Sequence, residues 1–249
     1  MKPFLFVTDL DFTLVGDKKA LAQLNQELEN HRKIYGTTIV YATGRSLTLY
    51  QQLTTEQSLL EPDALITSVG TEIYLDSNYE TPDSEWSRKL SDGWNRDLVV
   101  EIAAKFEDLV PQQDSEQRPF KVSYLIQEEA AKQVLPQLNN LLENENIKFK
   151  LIYSGSKDLD ILPLDADKGL AVKFLQNKWE YYSHETVVCG DSGNDIALFS
   201  VGEERGIIVG NARSELREWY EANKTEYRYF ATSFYADGIL EGLRFLNFI

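Results

Sequence analysis

The apolar run Phe4 to Val7 closes at Thr8 and is followed at once by Asp9 and Asp11, separated by a single leucine. A buried strand that delivers two carboxylates to its carboxyl end is how open α/β sheets present chemistry. One carboxylate can attack an electrophile and the other can move protons. A cation is then needed to hold the negative charge that collects between them. An Asp-x-Asp pair is also how a strand ends in a turn, because Asp favours turns, so the pair gains meaning from its company. Thr43-Gly44-Arg45 follows the run ending Tyr41-Ala42, where a hydroxyl and free N–H groups at a helix start make an oxyanion site. Lys168-Gly169 opens a helical pattern through Leu170 and Phe174, and Gly190 to Asp195, GDSGND, follows the apolar run Thr186 to Cys189. Singly, a Thr-Gly pair is a helix cap and a lysine at a helix start is a surface charge. The acidic GDSGND cluster is harder to explain away, since like charges crowded beyond a strand are costly without a cation or partner.

Composition narrows the partners. The 249 residues suffice for one large domain or two modest ones. A net charge of -15 repels polyanions, which argues against DNA, RNA or an anionic membrane surface as partner. Any phosphate must be met by local charge. The single cysteine, Cys189, excludes an internal disulfide, fits a reducing cytosol, and reads as a packed, inert thiol. No run approaches bilayer-spanning length and no basic-then-apolar leader is seen, so a cytoplasmic location is expected.

The elements that must carry these motifs alternate. After the Asp9 strand come a helical pattern through Leu21, Leu24 and Leu28, a strand over Thr37 to Ala42, a helix with Leu49, Tyr50 and Leu53, and a strand over Ala64 to Thr67. The alternation returns with strands at Thr186 to Cys189 and Gly206 to Val209 and helices carrying Leu198 and Phe199, Leu216 with Trp219 and Tyr220, and Leu240 with Leu243. This predicts an α/β domain with a parallel sheet. The middle differs: a helical pattern through Leu98, Ile102, Phe106 and Leu109, a strand over Lys121 to Ile126, a helix through Val134, Leu138 and Leu142, and strands at Phe149 to Ser154 and Asp158 to Leu162. It reads as an α+β layer inserted into the α/β domain, with crossing linkers near Leu75 to Asp83 and Pro163 to Asp167 acting as a hinge. The expected division is 1–76 core, 77–165 cap and 166–249 core.

In order and context the four motifs resemble those of the haloacid dehalogenase superfamily of phosphatases, and the insertion resembles its Cof-like, type IIB cap. The pieces VTDLDFTLVGD, YATGRS, SVGTEIY, KVSY, SGSKDLDILP and CGDSGND are most similar to the sucrose-6-phosphate phosphatase family. The sequence departs at Phe12 and Leu14, where a more polar and a larger residue are associated with that family; neither is required by the chemistry. The resemblance implies a Rossmannoid core and an Asp9 nucleophile that becomes an aspartyl phosphate. It makes Asp11 the acid and base, and places Mg²⁺ on Asp9, the Asp11 carbonyl and Asp191, with Asp195 close by. Thr43, Gly44, Lys168 and Asn194 would clasp the phosphoryl oxygens. It further implies a small-molecule sugar phosphate as substrate, the last step of sucrose synthesis as the reaction, a monomer, and sucrose-phosphate synthase as a candidate partner.

Specificity must come from the insertion, since such a core serves many substrates. Lys121, Ser123 and Tyr124 on one strand, and Lys157, Asp158 and Asp160 on another, are the candidate sugar contacts, with Glu72 at the mouth from the core side. His31 and His184 sit in polar contexts and read as surface residues. Three rivals remain: a type IIB phosphatase of another sugar phosphate, such as a trehalose, mannosyl or hexose phosphate, a phosphohexomutase of the same branch, and a phospho-receiver module, against which Asp11 and the insertion argue. No G-x-G-x-x-G follows the first strand, which disfavours a dinucleotide binder.

Overall fold

The computed structural model describes residues 2–249. The chain runs β1 (Leu5–Thr8), α1 (Lys18–Tyr35), β2 (Thr38–Ala42), α2 (Leu47–Glu56), β3 (Ala64–Thr67) and β4 (Glu72–Tyr74). It continues through α3 (Ser84–Leu90), α4 (Arg96–Ala103), β5 (Val110–Pro111), β6 (Val122–Leu125), α5 (Glu128–Asn144), β7 (Phe149–Ser154) and β8 (Asp158–Pro163). It closes with α6 (Lys168–Trp179), β9 (Thr186–Gly190), α7 (Ile196–Ser200), β10 (Arg205–Ile208), α8 (Ser214–Ala222), β11 (Arg228–Phe230) and α9 (Tyr235–Phe245).

A seven-stranded sheet in the order β11-β10-β9-β1-β2-β3-β4 forms the core, parallel throughout except for β4, which pairs antiparallel with β3. Its central strand β1 is buried along its whole length, with Phe4 and Phe6 packing to one face and Leu5 and Val7 to the other. Burial on both faces is why this stretch is a continuous apolar run. Because β1 pairs in register with both β2 and β9, Thr8 lies beside Tyr41 and Cys189. The three loops that follow these strands, carrying Asp9, Thr43 and Asp191, therefore emerge together.

A second sheet, order β5-β6-β8-β7, is antiparallel and backed by α4 and α5 around its own core of Val99, Ile102, Leu138, Leu142, Leu159 and Ile161. This is the α+β layer. Helix α3, which the sequence did not signal, packs by Trp86 and Leu90 onto the core rather than onto this layer, and Trp86 Nε1 donates to the Gly70 carbonyl at 3.0 Å. Helix α4 also stops at Ala103, short of Phe106 and Leu109.

Local signals set the helix starts. Asp17 caps α1 by accepting from the Lys19 and Ala20 N–H groups, and Gly36, at φ 81°, ends it in the left-handed conformation glycine favours. Asp167 caps α6 by accepting from Leu170 N–H at 2.7 Å, and also pairs with Lys150 of the cap sheet at 2.6 Å. Gly70, at φ 95°, lies so close to that cap that a Cβ there would fall 2.2 Å from the Asp167 carbonyl carbon. The turn after β3 is thereby pressed against the start of α6.

His31 corrects the sequence reading. It is buried, not a surface residue, with Nδ1 2.6 Å from the Thr37 hydroxyl and its ring against Phe4 and Tyr35, and burial pulls its pKa down. The spacing held the signal, since residue 31 continues the inward stripe of Leu21, Leu24 and Leu28 along α1, but its polar neighbours masked it. His184 is exposed. Cys189 is a free, buried thiol whose burial pushes its pKa up. Among the described residues no helix is long and apolar enough to cross a membrane.

Candidate active site

Lys168, fully buried at the first position of α6, joins the motifs. Its Nζ donates to Asp9 Oδ1 at 2.7 Å, Asp195 Oδ1 at 2.6 Å and Asn194 Oδ1 at 3.0 Å. Asp195 also accepts from the Asp191 and Ser192 N–H groups at 3.0 Å each, so it holds the GDSGND loop closed on itself. Gly190 makes this possible, since a Cβ there would lie 2.5 Å from Asp195 Cβ. Asp191 accepts from the Thr13 hydroxyl at 3.1 Å.

One buried ammonium thus faces three buried carboxylates, those of Asp9, Asp191 and Asp195, which offer oxygens within 4.8 Å of one another. Burial, partly opposed by Lys168 and reinforced by Asp195, pushes Asp9 up to about 7. Burial with Asp195 and Asp9 pushes Asp191 up to about 8. Lys168 itself is raised: burial alone would lower it, and the facing carboxylates outweigh that. A site with this surplus of buried negative charge and oxygen-only donors fits a hard divalent cation such as Mg²⁺.

Above these groups lies a cavity of about 260 Å³ between the core edge and the cap sheet. Asp9, Asp11, Gly44, Asp191 and Asn194 line it from the core, and Lys121, Asp158 and Asp160 line it from the cap. Thr43 sits below its wall, fully buried, with its hydroxyl accepting from Arg45 N–H at 3.1 Å. The remaining cap candidates lie elsewhere. Ser123 is buried and donates to Asp160, Tyr124 packs into the cap core, and Lys157 is exposed on the β7–β8 turn. Glu72 is likewise not in the wall. It is buried against Thr67 and Tyr74 and paired at 2.8 Å with Arg118 of the cap, fastening the two layers.

The structure adds residues that sequence reasoning did not assign: Arg45, Gln112, Gln113, Glu116 and Arg213 all reach the cavity. Arg45 was visible inside its motif, where only the Thr and Gly were assigned. Glu116 lay in a polar stretch with no pattern. It accepts from Lys121 Nζ at 2.8 Å and from Ser46 N–H across the cleft at 3.2 Å, while Lys121 also donates to the Gly44 carbonyl at 3.2 Å. Burial would raise the Glu116 pKa, but Lys121 and Ser46 bring it down.

A family model described as sucrose-6F-phosphate phosphohydrolase matches residues 2–247. Sucrose-phosphatase 1 of Nicotiana tabacum is 40% identical over 98% of this chain and 59% of that protein. The chain thus spans little more than half the length of this relative. Mannosylfructose-phosphate phosphatase of Agrobacterium fabrum is 32% identical over 98% of the chain and 97% of its own length. Among solved structures, the sucrose-phosphatase of Synechocystis sp. PCC6803, in complex with sucrose and phosphate, superposes with a TM-score of 0.92 at 40% identity, covering 99% of each chain. A haloacid dehalogenase-like hydrolase from Bacillus subtilis, 19% identical with a TM-score of 0.68, shares the fold. The buried acidic site on a parallel core, the cap above it and a match over almost the whole length agree: the chain belongs to the sucrose-6F-phosphate phosphohydrolase family.

Proposed function

We propose that this chain is a Mg²⁺-dependent phosphatase that hydrolyses sucrose-6-phosphate to sucrose and inorganic phosphate. The observation that carries the reading is the convergence of Lys168 on Asp9, Asn194 and Asp195 at the floor of a cavity roofed by polar cap residues. Asp9 is the nucleophile. Its carboxylate attacks phosphorus while the bond from phosphorus to the sugar oxygen breaks, leaving an aspartyl phosphate. Asp11 gives its proton to the departing oxygen, then takes one from the water that attacks the aspartyl phosphate and frees Asp9. Lys168, Asn194, the Gly44 N–H and the Thr43 hydroxyl hold the phosphoryl oxygens, spreading charge in a loose transition state.

Mg²⁺ would be held by the carboxylates of Asp9 and Asp191 and the carbonyl of Asp11. It supplies neutralisation of the charge shared by phosphate and carboxylates. Asp195, whose oxygens already serve Lys168 and two backbone amides, supports the site from behind. Glu116, Lys121, Asp158, Asp160 and Gln112 offer the paired polar groups that sugar hydroxyls need. The monomer and the docking of a synthase belong to the same proposal.

A second reading, a phosphatase of mannosylfructose phosphate, is favoured by the Agrobacterium fabrum relative, which the chain matches over nearly its full length. Phosphate release is measured on sucrose-6-phosphate, mannosylfructose phosphate, trehalose-6-phosphate, mannose-6-phosphate and glucose-6-phosphate with Mg²⁺. Sucrose-6-phosphate is expected to be turned over best. Another preference overturns the substrate, and a rearranged sugar phosphate without released phosphate identifies a mutase. Asp9→Asn should reduce turnover by more than about a thousand-fold while the fold stays intact, because the amide cannot attack phosphorus. Retained activity would overturn the mechanism.

A further inference from the structure

Phe12, next to Asp11, is the aromatic side chain in the cavity wall: among the described lining residues only Phe12 and Leu49 have wholly hydrocarbon side chains, and only Phe12 carries a ring. Its backbone lies at φ 60°, the left-handed region that glycine and asparagine adopt with least strain and a bulky side chain resists. The side chain is 53% exposed, so burial in the core does not compensate for that conformation. The conformation is pinned all the same. Asn211 Nδ2 donates to the Phe12 carbonyl at 2.7 Å, and the Arg213 guanidinium lies 5.5 Å from the ring centroid. Arg213 is in turn seated by its own N–H, which donates to the Asp191 carbonyl at 2.8 Å, and its side chain lies against Gly155 of the cap turn. A strained, solvent-facing ring is therefore held at the mouth between the nucleophile and the cap. Strain maintained where packing gains nothing from it marks a functional position.

We propose that Phe12 is a specificity-determining residue whose ring receives the C–H face of the sugar unit that bears the phosphate. The inference rests on the sugar-phosphate reading of the site. A sugar ring has hydroxyl edges, which need hydrogen-bond partners, and C–H faces, which pack on aromatic rings. The cap serves the edges through Gln112, Glu116, Lys121, Asp158 and Asp160. Phe12 is the aromatic surface left for a face. It selects cyclic phosphate esters over acyclic ones, whereas the buried charges below it act on the phosphoryl group of either.

The test compares kcat/KM for the sugar phosphate that the unmodified protein prefers with kcat/KM for glycerol 3-phosphate, an acyclic phosphate ester. Phe12→Asn removes the ring but keeps a residue at ease with positive φ, so the loop bearing Asp11 keeps its path. Phe12→Tyr keeps the ring. The ratio is expected to fall about ten-fold in Phe12→Asn, chiefly through KM, and to stay within about three-fold in Phe12→Tyr. An unchanged ratio in the Asn variant, whether neither substrate or both are affected, overturns the proposal, as does a Tyr variant that falls as far as the Asn variant. Preference for a sugar other than sucrose-6-phosphate overturns only the substrate named above, and Phe12 is then judged on that sugar. If no sugar phosphate is turned over better than glycerol 3-phosphate, there is nothing for Phe12 to select and both readings fall.

Discussion

Arg45 grips both carboxylate oxygens of Asp11: Nε donates to Oδ2 and Nη2 to Oδ1, each at 2.7 Å, while Nη1 holds the Leu49 carbonyl at 3.2 Å. This bidentate fork joins the loop after β1 to the start of α2. On the mechanism proposed above, it aims the side chain that would exchange protons with the leaving group and then with water, and it would have to loosen for each exchange.

Arg45→Lys is accordingly expected to lower kcat by about ten- to a hundred-fold, because an ammonium is a point charge and cannot hold two oxygens in one plane. KM should move less than kcat. Steady-state kinetics check this, and an unchanged kcat would make the fork a resting contact without catalytic consequence.

Asp9 and Asp191 tie stability to pH and, on the Mg²⁺ site proposed above, to metal. Burial and neighbouring carboxylates raise Asp191 from 3.8 to about 8, and burial with Asp195 raises Asp9 to about 7 against the pull of Lys168. Without metal the folded protein therefore binds more protons than the unfolded chain between about pH 4 and 8. These two groups make unfolding easier as pH rises through that window. Mg²⁺ needs both carboxylates ionised, so its stabilisation grows over the same range. Thermal unfolding across that range should show Tm falling with pH in EDTA and a Mg²⁺ increment that widens with pH. An increment independent of pH would refute the assignment of these carboxylates to the cation.

Lys121 should matter more for stability than its place near a substrate cavity implies. It is buried with Glu116 at 2.8 Å and Asp160 at 3.7 Å. Burial alone would lower its pKa, but the two carboxylates raise it. Lys121→Met leaves both acids buried without their cation, which is expected to cost on the order of 3 kcal/mol. Adding Asp160→Asn should restore part of the loss. Urea unfolding measures both, and a Lys121→Met protein as stable as the parent would mean the cap cleft is wetter than its packing indicates.

What the sequence determined by itself was the periodicity of the buried elements and the motifs at their ends. Strands β3 and β7 lie at the predicted residues, because a short apolar run such as Ala64 to Ile66, or one rich in aromatic and aliphatic residues such as Phe149 to Tyr153, advertises itself in residue type. Asp9, Thr43, Lys168 and Asp191 were legible for the same reason: each follows or opens such an element. The short strands β4, β5 and β11 and helix α3 were not, since a three-residue strand or two-turn helix carries too little periodicity and depends on what it packs against. Only the tertiary structure decided which polar side chains share the cavity. Arg213 reaches it from the start of α8 and Glu116 from a short turn in the cap, whereas Tyr124 faces the apolar core of the cap. Side-chain direction on a strand reverses at every residue, and the distance from Arg213 to Phe12 is closed by the chain's path rather than by its sequence.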